Sequence, residues 1–330
     1  MVARADGQTA PARRKVLIVG PPGERFWQGL APIASEAEIL AIAEDELTLA
    51  RHVAAAEVVF IWASVPLLAN LWPQARAVRW VHAGWAGVDR LLFPELVASD
   101  AVLTRSAGIY GNSLAEYALA AMLYFAKRIP ELMAYQRARV WRKITPTDLR
   151  GKTLGVVGLG DVGTAVAEKG KALGMRVIGL RRTGGEPPAC VDAVLPLAGL
   201  DQLLAAADYV VLCTPLTAET RGLIGERELA LMRPGAVLVN IARGGVVREE
   251  ALLAALREGR LGGAAVDVFE EEPLPPDSPF YDVPNILISA HTVDTVPGWE
   301  ERVVALFVEN FRRYVDGAPL LNVVDKRRGY

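Results

Sequence analysis

The stretch Thr153-Leu154-Gly155-Val156-Val157-Gly158-Leu159-Gly160-Asp161-Val162-Gly163 decides how this chain folds. It predicts a buried strand that passes through a glycine-rich turn into a helix. Gly158 permits the tight turn, Gly160 removes the Cβ that would keep a pyrophosphate from the backbone, and Gly163 lets the helix lie close to the sheet. The helix N-terminus offers N–H groups and the positive end of its dipole to phosphate. The pattern therefore predicts a dinucleotide site with contacts from Gly158, Gly160, Asp161, Val162 and Gly163.

The residues that follow favour this interpretation over a turn without a ligand. Val162, Val166 and Gly170 fall on one helical face, and Gly174 is placed to end the helix at its C′ position. A second apolar strand is predicted at residues 175–180, at the distance expected of a βαβ unit.

Short apolar segments alternate with helical segments along both halves of the chain. This alternation predicts α/β domains with mainly parallel sheets. The six strands of the second half match the doubly wound dinucleotide-binding fold. Strands are predicted at residues 16–19, 37–43, 57–62, 78–82 and 101–104, and then at 154–159, 175–180, 209–213, 236–241, 264–268 and 286–289.

Length and composition exclude several classes of partner. The 330 residues suffice for two domains, and the formal net charge of −2 gives no electrostatic case for nucleic acid or an anionic membrane. No apolar run has the length of a membrane span or of a signal-peptide core, so we expect a cytoplasmic protein. Cys190 and Cys213 have neither disulfide nor metal-ligand spacing, and no metal is expected. We expect residues 1–14 to form a frayed tail.

A glycine-containing loop follows the strand predicted at residues 78–82. His82 closes that strand, and Trp85, Ala86 and Gly87 lie in the loop at its carboxyl end, where open α/β sheets bind ligands. Exposed backbone N–H groups there would bind a small carboxylate beside the Trp85 ring. Residue type alone supports equally a turn in which Trp85 packs into a domain interface.

Residues 113–130 are the clearest predicted helix. Ser113 and Glu116 have the spacing of a capping box, and Pro130 follows the last turn. Apolar side chains cover much of the helix circumference, which predicts burial on more than one side. We interpret this helix as the crossover into the second domain and as part of a subunit interface.

Polar residues stand at the strand ends of the second half. Arg243 follows the strand at 236–241, and its planar fork suits the carboxylate of a 2-keto acid. Asp267 and Glu272 lie at and beyond the end of the next strand, and His291 follows the last one, where a catalytic acid is needed. Each residue alone would fit a surface ion pair or a satisfied polar group. As a set at strand ends, they favour an active site.

Dispersed blocks in this order resemble the D-2-hydroxyacid dehydrogenase family over nearly the whole chain. The resemblance implies that Arg243, Glu272 and His291 are catalytic, and that Ala242 and Asp267 hold a nicotinamide. The matching blocks are residues 84–89, the helix around Glu116, residues 158–163, Thr214-Pro215-Leu216-Thr217 with Thr220, residues 240–245, residues 267–273 and His291. Cofactor contacts are implied for Thr214, Pro215 and Thr220, and substrate contacts for Trp85, Ala86, Gly87, Arg243 and His291.

The resemblance also implies a domain organisation and a reaction. A Rossmann cofactor domain over residues 106–293 is inserted in a flavodoxin-like substrate domain of residues 1–105 and 294–330, and a homodimer forms around the crossover helix. A hydride passes between the nicotinamide and a 2-keto acid. His291 protonates the keto oxygen, and Glu272 orients the ring.

Two departures bear on the cofactor and the site. Cofactor domains that use NAD carry an acid at the end of the second strand, whereas this chain has Arg181, Arg182 and Thr183. Two arginines and a hydroxyl suit a 2′-phosphate, so we predict a preference for NADPH; NADH remains usable if the arginines are only solvated. The family commonly has proline before the histidine, but here Ser289 and Ala290 precede it.

Substrate size and some alternatives stay open. Glyoxylate or hydroxypyruvate suits the resemblance, yet Trp85, Tyr110 and Trp141 would either narrow the pocket or stack on a phenyl-bearing acid. A formate or phosphite dehydrogenase would reuse the cofactor domain, although family formate dehydrogenases pair their histidine with glutamine rather than with Glu272. Corepressors resembling this family keep the catalytic residues and use the nucleotide as a signal.

Overall fold

The computed structural model of this chain describes residues 13–21 and 27–330. The chain divides into two compact units. Unit 1 comprises Met1–Ala107 and Pro297–Tyr330, and unit 2 comprises Gly108–Val296.

Unit 1 contains a five-stranded parallel sheet in the order β2-β1-β3-β4-β5. This is the order of flavodoxin-like folds. Aromatic rings cover one face of the sheet, where Phe60 and Trp80 both stack on Phe307, at centroid distances of 4.5 and 5.3 Å. The strands are β1 (Arg14–Val19), β2 (Ala37–Ala43), β3 (Val58–Ile61), β4 (Trp80–Ala83) and β5 (Val102–Arg105).

Unit 2 contains a seven-stranded parallel sheet in the order β12-β11-β10-β9-β6-β7-β8. Its first six strands have the Rossmann order, and the order reverses between β6 and β9, where ligands bind in such sheets. The strands are β6 (Thr153–Val157), β7 (Arg176–Leu180), β8 (Ala193–Leu195), β9 (Tyr209–Leu212), β10 (Val237–Asn240), β11 (Gly263–Val266) and β12 (Ile286–Ile288).

The helices connect the strands as the doubly wound folds require. Unit 1 contains α1 (Glu46–His52), α2 (Val65–Leu71), α3 (Pro94–Ala98) and α10 (Trp299–Val315). Unit 2 contains α4 (Gly111–Ala126), α5 (Ile129–Arg137), α6 (Asp161–Ala172), α7 (Leu200–Ala206), α8 (Glu226–Leu231) and α9 (Glu249–Arg257).

The fold class predicted from the sequence is confirmed: both units are α/β, each with a doubly wound parallel sheet. Strand β8 is not among the strands predicted from the sequence, because an edge strand of three half-buried residues has almost no apolar pattern. Within residues 13–21 and 27–330, no helix combines the length and apolar character that a membrane span needs.

Two local predictions were wrong. Helix α4 begins at Gly111, two residues before the proposed cap, and the Ser113 hydroxyl donates to the Val293 carbonyl while Glu116 accepts from Asn112 (2.8 Å). The capping box is therefore absent, because both side chains find other partners.

The predicted tail over residues 1–14 also needs correction at its end. Residues 1–12 lie outside the described residues. Strand β1 begins at Arg14, and the Arg13 guanidinium donates to the Ala37 carbonyl at the start of β2 (2.9 Å). Both arginines thus belong to the folded unit.

Candidate active site

The glycine turn after β6 has the backbone that its sequence requires. Gly158 has φ +100°, and a Cβ there would lie 2.9 Å from the Cys213 carbonyl after β9. A Cβ on Gly163 would lie 1.8 Å from the Gly158 oxygen, so only glycine lets α6 pack against the turn. Around Gly160, by contrast, no atom lies within 4 Å of an added Cβ. The open space at Gly160 fits a cofactor phosphate beside the α6 N-terminus.

Asp161 and Val162 occupy the first turn of α6. The Asp161 carboxylate lies against the N-terminus of α4, because a Cβ on Gly111 would be 2.9 Å from Oδ2. An acid between two helix N-termini is stabilised by both dipoles. Val162 is half-buried and packs against the core beneath the turn.

The two arginines after β7, Arg181 and Arg182, have different surroundings. The Arg181 guanidinium donates to the carbonyl of Gly184 and to that of Glu186 (2.9 Å), so this side chain holds its own loop. Arg182 and Thr183 are exposed at the turn. Two of the three residues predicted to meet a 2′-phosphate are therefore at the surface, and the third organises the segment.

The turn after β9 is closed by its own hydroxyls. Thr220 is buried; its hydroxyl donates to the Pro215 carbonyl (2.6 Å) and accepts from the Thr217 amide (2.8 Å). Thr214 lies half-buried next to the glycine turn. The structure thus uses Thr220 to shape the turn and leaves Thr214 and Pro215 closest to the reversal of strand order.

Asn240 fixes the Arg243 loop at the end of β10. Its Oδ1 accepts from the Ala242 amide (3.1 Å), and its Nδ2 donates to the Arg243 carbonyl (3.2 Å). A Cβ on Gly244 would lie 2.0 Å from the backbone of Phe269, so this loop packs directly on the segment that carries Glu272. The half-buried Arg243 guanidinium donates to the Ala242 carbonyl (2.8 Å).

Asp267 is buried at the end of β11. It accepts from the Thr292 amide (3.2 Å), and its backbone carbonyl accepts from the His291 amide (2.8 Å). Burial raises the pKa of its carboxyl, against the lowering effect of hydrogen bonds from Ser289 and Thr292. Ser289 Oγ in turn lies 2.8 Å from the Tyr117 hydroxyl, which α4 brings to this edge.

Glu272 and His291 form the most direct catalytic contact. His291 Nδ1 lies 3.0 Å from Glu272 Oε2, and Glu272 Oε1 accepts from the Phe269 amide (3.1 Å). An ionised carboxylate only accepts, so Nδ1–H donates to it and Nε2 is left for a substrate. His291 has φ +47°, a left-handed conformation that residues at functional sites adopt more often than others.

Comparison with known proteins identifies the family. The family model described as "D-isomer specific 2-hydroxyacid dehydrogenase, NAD binding domain" matches residues 119–293. A glyoxylate reductase of Thermococcus gammatolerans is 35% identical over 263 residues, which are 77% of this chain and 77% of that protein. The chain belongs to the D-2-hydroxyacid dehydrogenase family.

Solved structures agree with this dehydrogenase family over both units. A D-isomer specific 2-hydroxyacid dehydrogenase from Xanthobacter autotrophicus, in complex with NADPH and MES, has a TM-score of 0.84 and 31% identity, covering 97% of this chain and all of that one. An NADPH-dependent glyoxylate/hydroxypyruvate reductase from Sinorhizobium meliloti, in complex with NADP and sulfate, has a TM-score of 0.86 and 29% identity, covering 96% and 100%. The protein is an NAD(P)-dependent 2-hydroxyacid dehydrogenase.

The loop of residues 85–87, which the sequence predicts to contact the substrate, lies in unit 1 of this dehydrogenase. These residues follow β4 and are half-buried, and Trp85 packs against the unit 1 core. Arg105 donates to the Ala86 carbonyl (3.0 Å) and the Ser106 amide to the Trp85 carbonyl (3.1 Å). Among the described residues, none accepts a hydrogen bond from the Ala86 or Gly87 N–H. A loop with two such amides at the carboxyl end of a strand is able to bind an anion.

Three side chains at the unit 2 site had no predicted role. Asn240 was a polar residue ending an apolar strand, which is a signal that it supports a loop. Tyr117 and Ser289 carried no such signal, because their contact joins residues 172 positions apart.

Proposed function

We propose that this dehydrogenase reduces a small 2-keto acid of the glyoxylate or hydroxypyruvate type to the D-2-hydroxy acid, with NADPH as the reductant. The observation that carries the proposal is the 3.0 Å contact between His291 and Glu272, beside the Arg243 loop and on the same sheet edge as the glycine turn. The similar proteins named above are named as reductases of such acids or were solved with NADP(H).

The residues fit a dinucleotide cofactor. Gly158, Gly160 and Gly163, with the first turn of α6, would hold its pyrophosphate, and Ala242 and Asp267 would face the nicotinamide. When bound, NADPH supplies the hydride that reduces the keto carbon. Thr214 and Pro215 would line the crevice between β6 and β9.

The chain's own side chains would handle the proton and the charge. Protonated His291 donates from Nε2 to the keto oxygen, while Glu272 holds the ring through Nδ1. Arg243 binds the substrate carboxylate and stabilises the negative charge that grows on the keto oxygen. In unit 1, the Ala86 and Gly87 amides bind a substrate carboxylate.

The preference for NADPH rests on Arg182 and Thr183. Both are exposed after β7, where an acid would repel a 2′-phosphate. Because charge-assisted hydrogen bonds contribute about 1.5–3 kcal/mol, Arg182→Ala should weaken NADPH binding about ten- to hundredfold and leave NADH binding unchanged. Arg176→Ala, the same change at the exposed start of β7, is the matched control. Equal effects of the two variants would contradict the assignment.

The function is tested by cofactor oxidation with purified protein. Glyoxylate, hydroxypyruvate and phenylpyruvate are each supplied with NADPH and with NADH. We expect turnover of the two small acids with NADPH to exceed turnover of phenylpyruvate. Faster reduction of phenylpyruvate would replace the substrate class, and nucleotide binding without oxidation by any acid would favour a nucleotide-sensing role.

We further propose that the enzyme is a homodimer. Trp141 is 99% exposed and stands among exposed residues, including Val140, in the segment after α5. Leu132 and Met133 are exposed apolar residues on α5 itself. Clustered apolar side chains of this kind mark protein–protein contacts, and a second copy of the chain is the partner that fits a crossover helix apolar around much of its circumference.

A further inference from the structure

Four buried side chains in unit 1 form a continuous chain of hydrogen bonds. Trp80, His82, Thr104 and Ser106 have no exposed surface. Trp80 Nε1 donates to Thr104 Oγ1 (2.8 Å), Thr104 Oγ1 lies 2.7 Å from His82 Nδ1, and His82 Nε2 lies 3.2 Å from Ser106 Oγ. Ser106 Oγ then donates to the carbonyl of Ala83, the last residue of β4 (2.9 Å).

The groups at the two ends of this chain of hydrogen bonds define the direction in which each hydrogen bond is donated. An indole N–H only donates and a carbonyl only accepts. Thr104 therefore accepts a hydrogen bond from Trp80 and donates its own O–H to His82 Nδ1. His82 carries its proton on Nε2 and donates to Ser106, which donates to Ala83. Only this neutral tautomer supplies one proton to each of the four contacts.

This chain of hydrogen bonds ends beside the residue 85–87 loop, which is proposed to bind the substrate carboxylate. Ser106 donates through its hydroxyl to the Ala83 carbonyl at the end of β4 and through its amide to the Trp85 carbonyl in the loop (3.1 Å). Because a peptide group is planar and trans, fixing the Trp85 carbonyl also fixes the opposite direction of the Ala86 N–H. Arg105 fixes the Gly87 N–H in the same way through the Ala86 carbonyl.

We propose that Trp80, Thr104, His82 and Ser106 are positioning residues that orient the residue 85–87 backbone for binding of the 2-keto acid carboxylate. They touch no substrate and act through the loop. The inference rests on the proposed function for the role of the loop. Fully satisfied buried networks restrict a structure to one arrangement, which a loop that binds through backbone amides requires.

The test compares variants that break or preserve the chain. Ser106→Ala removes the hydroxyl that joins His82 to Ala83 and keeps the Ser106 amide contact. We expect KM for the keto acid to rise about five- to tenfold, with kcat and the KM for NADPH changed less than about twofold. His82→Phe should raise KM for the keto acid by a similar factor. His82→Gln should keep KM close to the wild-type value, because the glutamine amide both accepts and donates hydrogen bonds.

Ser99→Ala is the matched control within unit 1. It removes a hydroxyl that donates to the Leu96 carbonyl (2.8 Å), the same kind of contact away from the loop. We expect it to leave KM for the keto acid unchanged. If Ser106→Ala lowers the melting temperature but leaves KM for the keto acid unchanged, the network has a purely structural role and the proposal is overturned.

Two measurements do not depend on enzyme activity. Nitrogen NMR of labelled His82 should show the proton on Nε2, and a proton on Nδ1 would overturn the polarity. Hydrogen exchange of the peptide spanning residues 83–90 should accelerate in Ser106→Ala but not in Ser99→Ala, and unchanged exchange would overturn the positioning role. A protein that reduces no keto acid yet shows both effects would refute the proposed function alone.

Discussion

Acid is expected to destabilise unit 1 through His82, the buried histidine in β4. Its ring contacts hydroxyl groups and aromatic rings, and burial lowers its pKa to about 3. The folded state therefore keeps His82 neutral. In the unfolded chain a histidine takes up a proton below about pH 6.5. Since the unfolded state then binds more protons than the folded state, stability must fall as the pH falls from about 7 towards 3.

The size of this effect follows from the two pKa values. At about pH 5 the unfolded histidine is almost fully protonated while the folded one is almost fully neutral. The pKa of histidine in the unfolded chain lies about 1.5 units above the pH of this solution. That difference corresponds to a loss of about 2 kcal/mol in the free energy of unfolding. Near pH 7.5 the same residue costs almost nothing, because neither state is protonated.

The assay uses the placement of the tryptophans. Six of the seven lie in unit 1, and Trp141 of unit 2 is already exposed, so the change in tryptophan fluorescence on unfolding reports on unit 1. Urea unfolding of wild type and of His82→Gln is measured near pH 7.5 and near pH 5. Glutamine does not titrate, so the variant should lose about 2 kcal/mol less than wild type between the two conditions. Equal losses would refute the argument that His82 is neutral in the fold.

Three further predictions concern other parts of the molecule. Gly163→Ala should lower stability by about 1–3 kcal/mol or prevent folding, whereas Gly160→Ala should leave the melting temperature unchanged and weaken NADPH binding; calorimetry and nucleotide titration check both, and equal melting temperatures would contradict the packing argument. Trp141→Ser should shift the sedimentation mass towards the monomer, while Tyr281→Ser, a control at another exposed aromatic, should not. Lys326 donates to the backbone carbonyls of Leu96 in α3 and of Ser99 and Ala101 between α3 and β5. Lys326→Met should therefore lower the urea midpoint of unit 1 by an amount equivalent to about 1–3 kcal/mol, and an unchanged midpoint would show that these bonds make no net contribution to stability.

Much of the candidate site could be placed from the sequence because its residues follow strands. In a parallel sheet the carboxyl ends of all strands meet at one edge, so Arg243, Asp267 and His291 were predicted to lie along it. The contact between His291 and Glu272 was predicted from the family resemblance. The Arg181 side chain was assigned to a cofactor phosphate, but the structure engages it with the carbonyls of Gly184 and Glu186. Sequence pattern does not show which of two adjacent arginines folds back on its own loop.

The local pattern of the chain was sufficient for its backbone and for its family. A period-two or period-3.6 apolar pattern and a glycine at a position with positive φ act within a few residues, so the strands, the turn at Gly158 and the helix after it could be recognised one segment at a time. Side-chain partners depend instead on the three-dimensional fold. Ser113 binds a carbonyl 180 residues away and Ser106 one 23 residues away, because packing brings these groups together and buried polar atoms must be satisfied by whatever lies nearest.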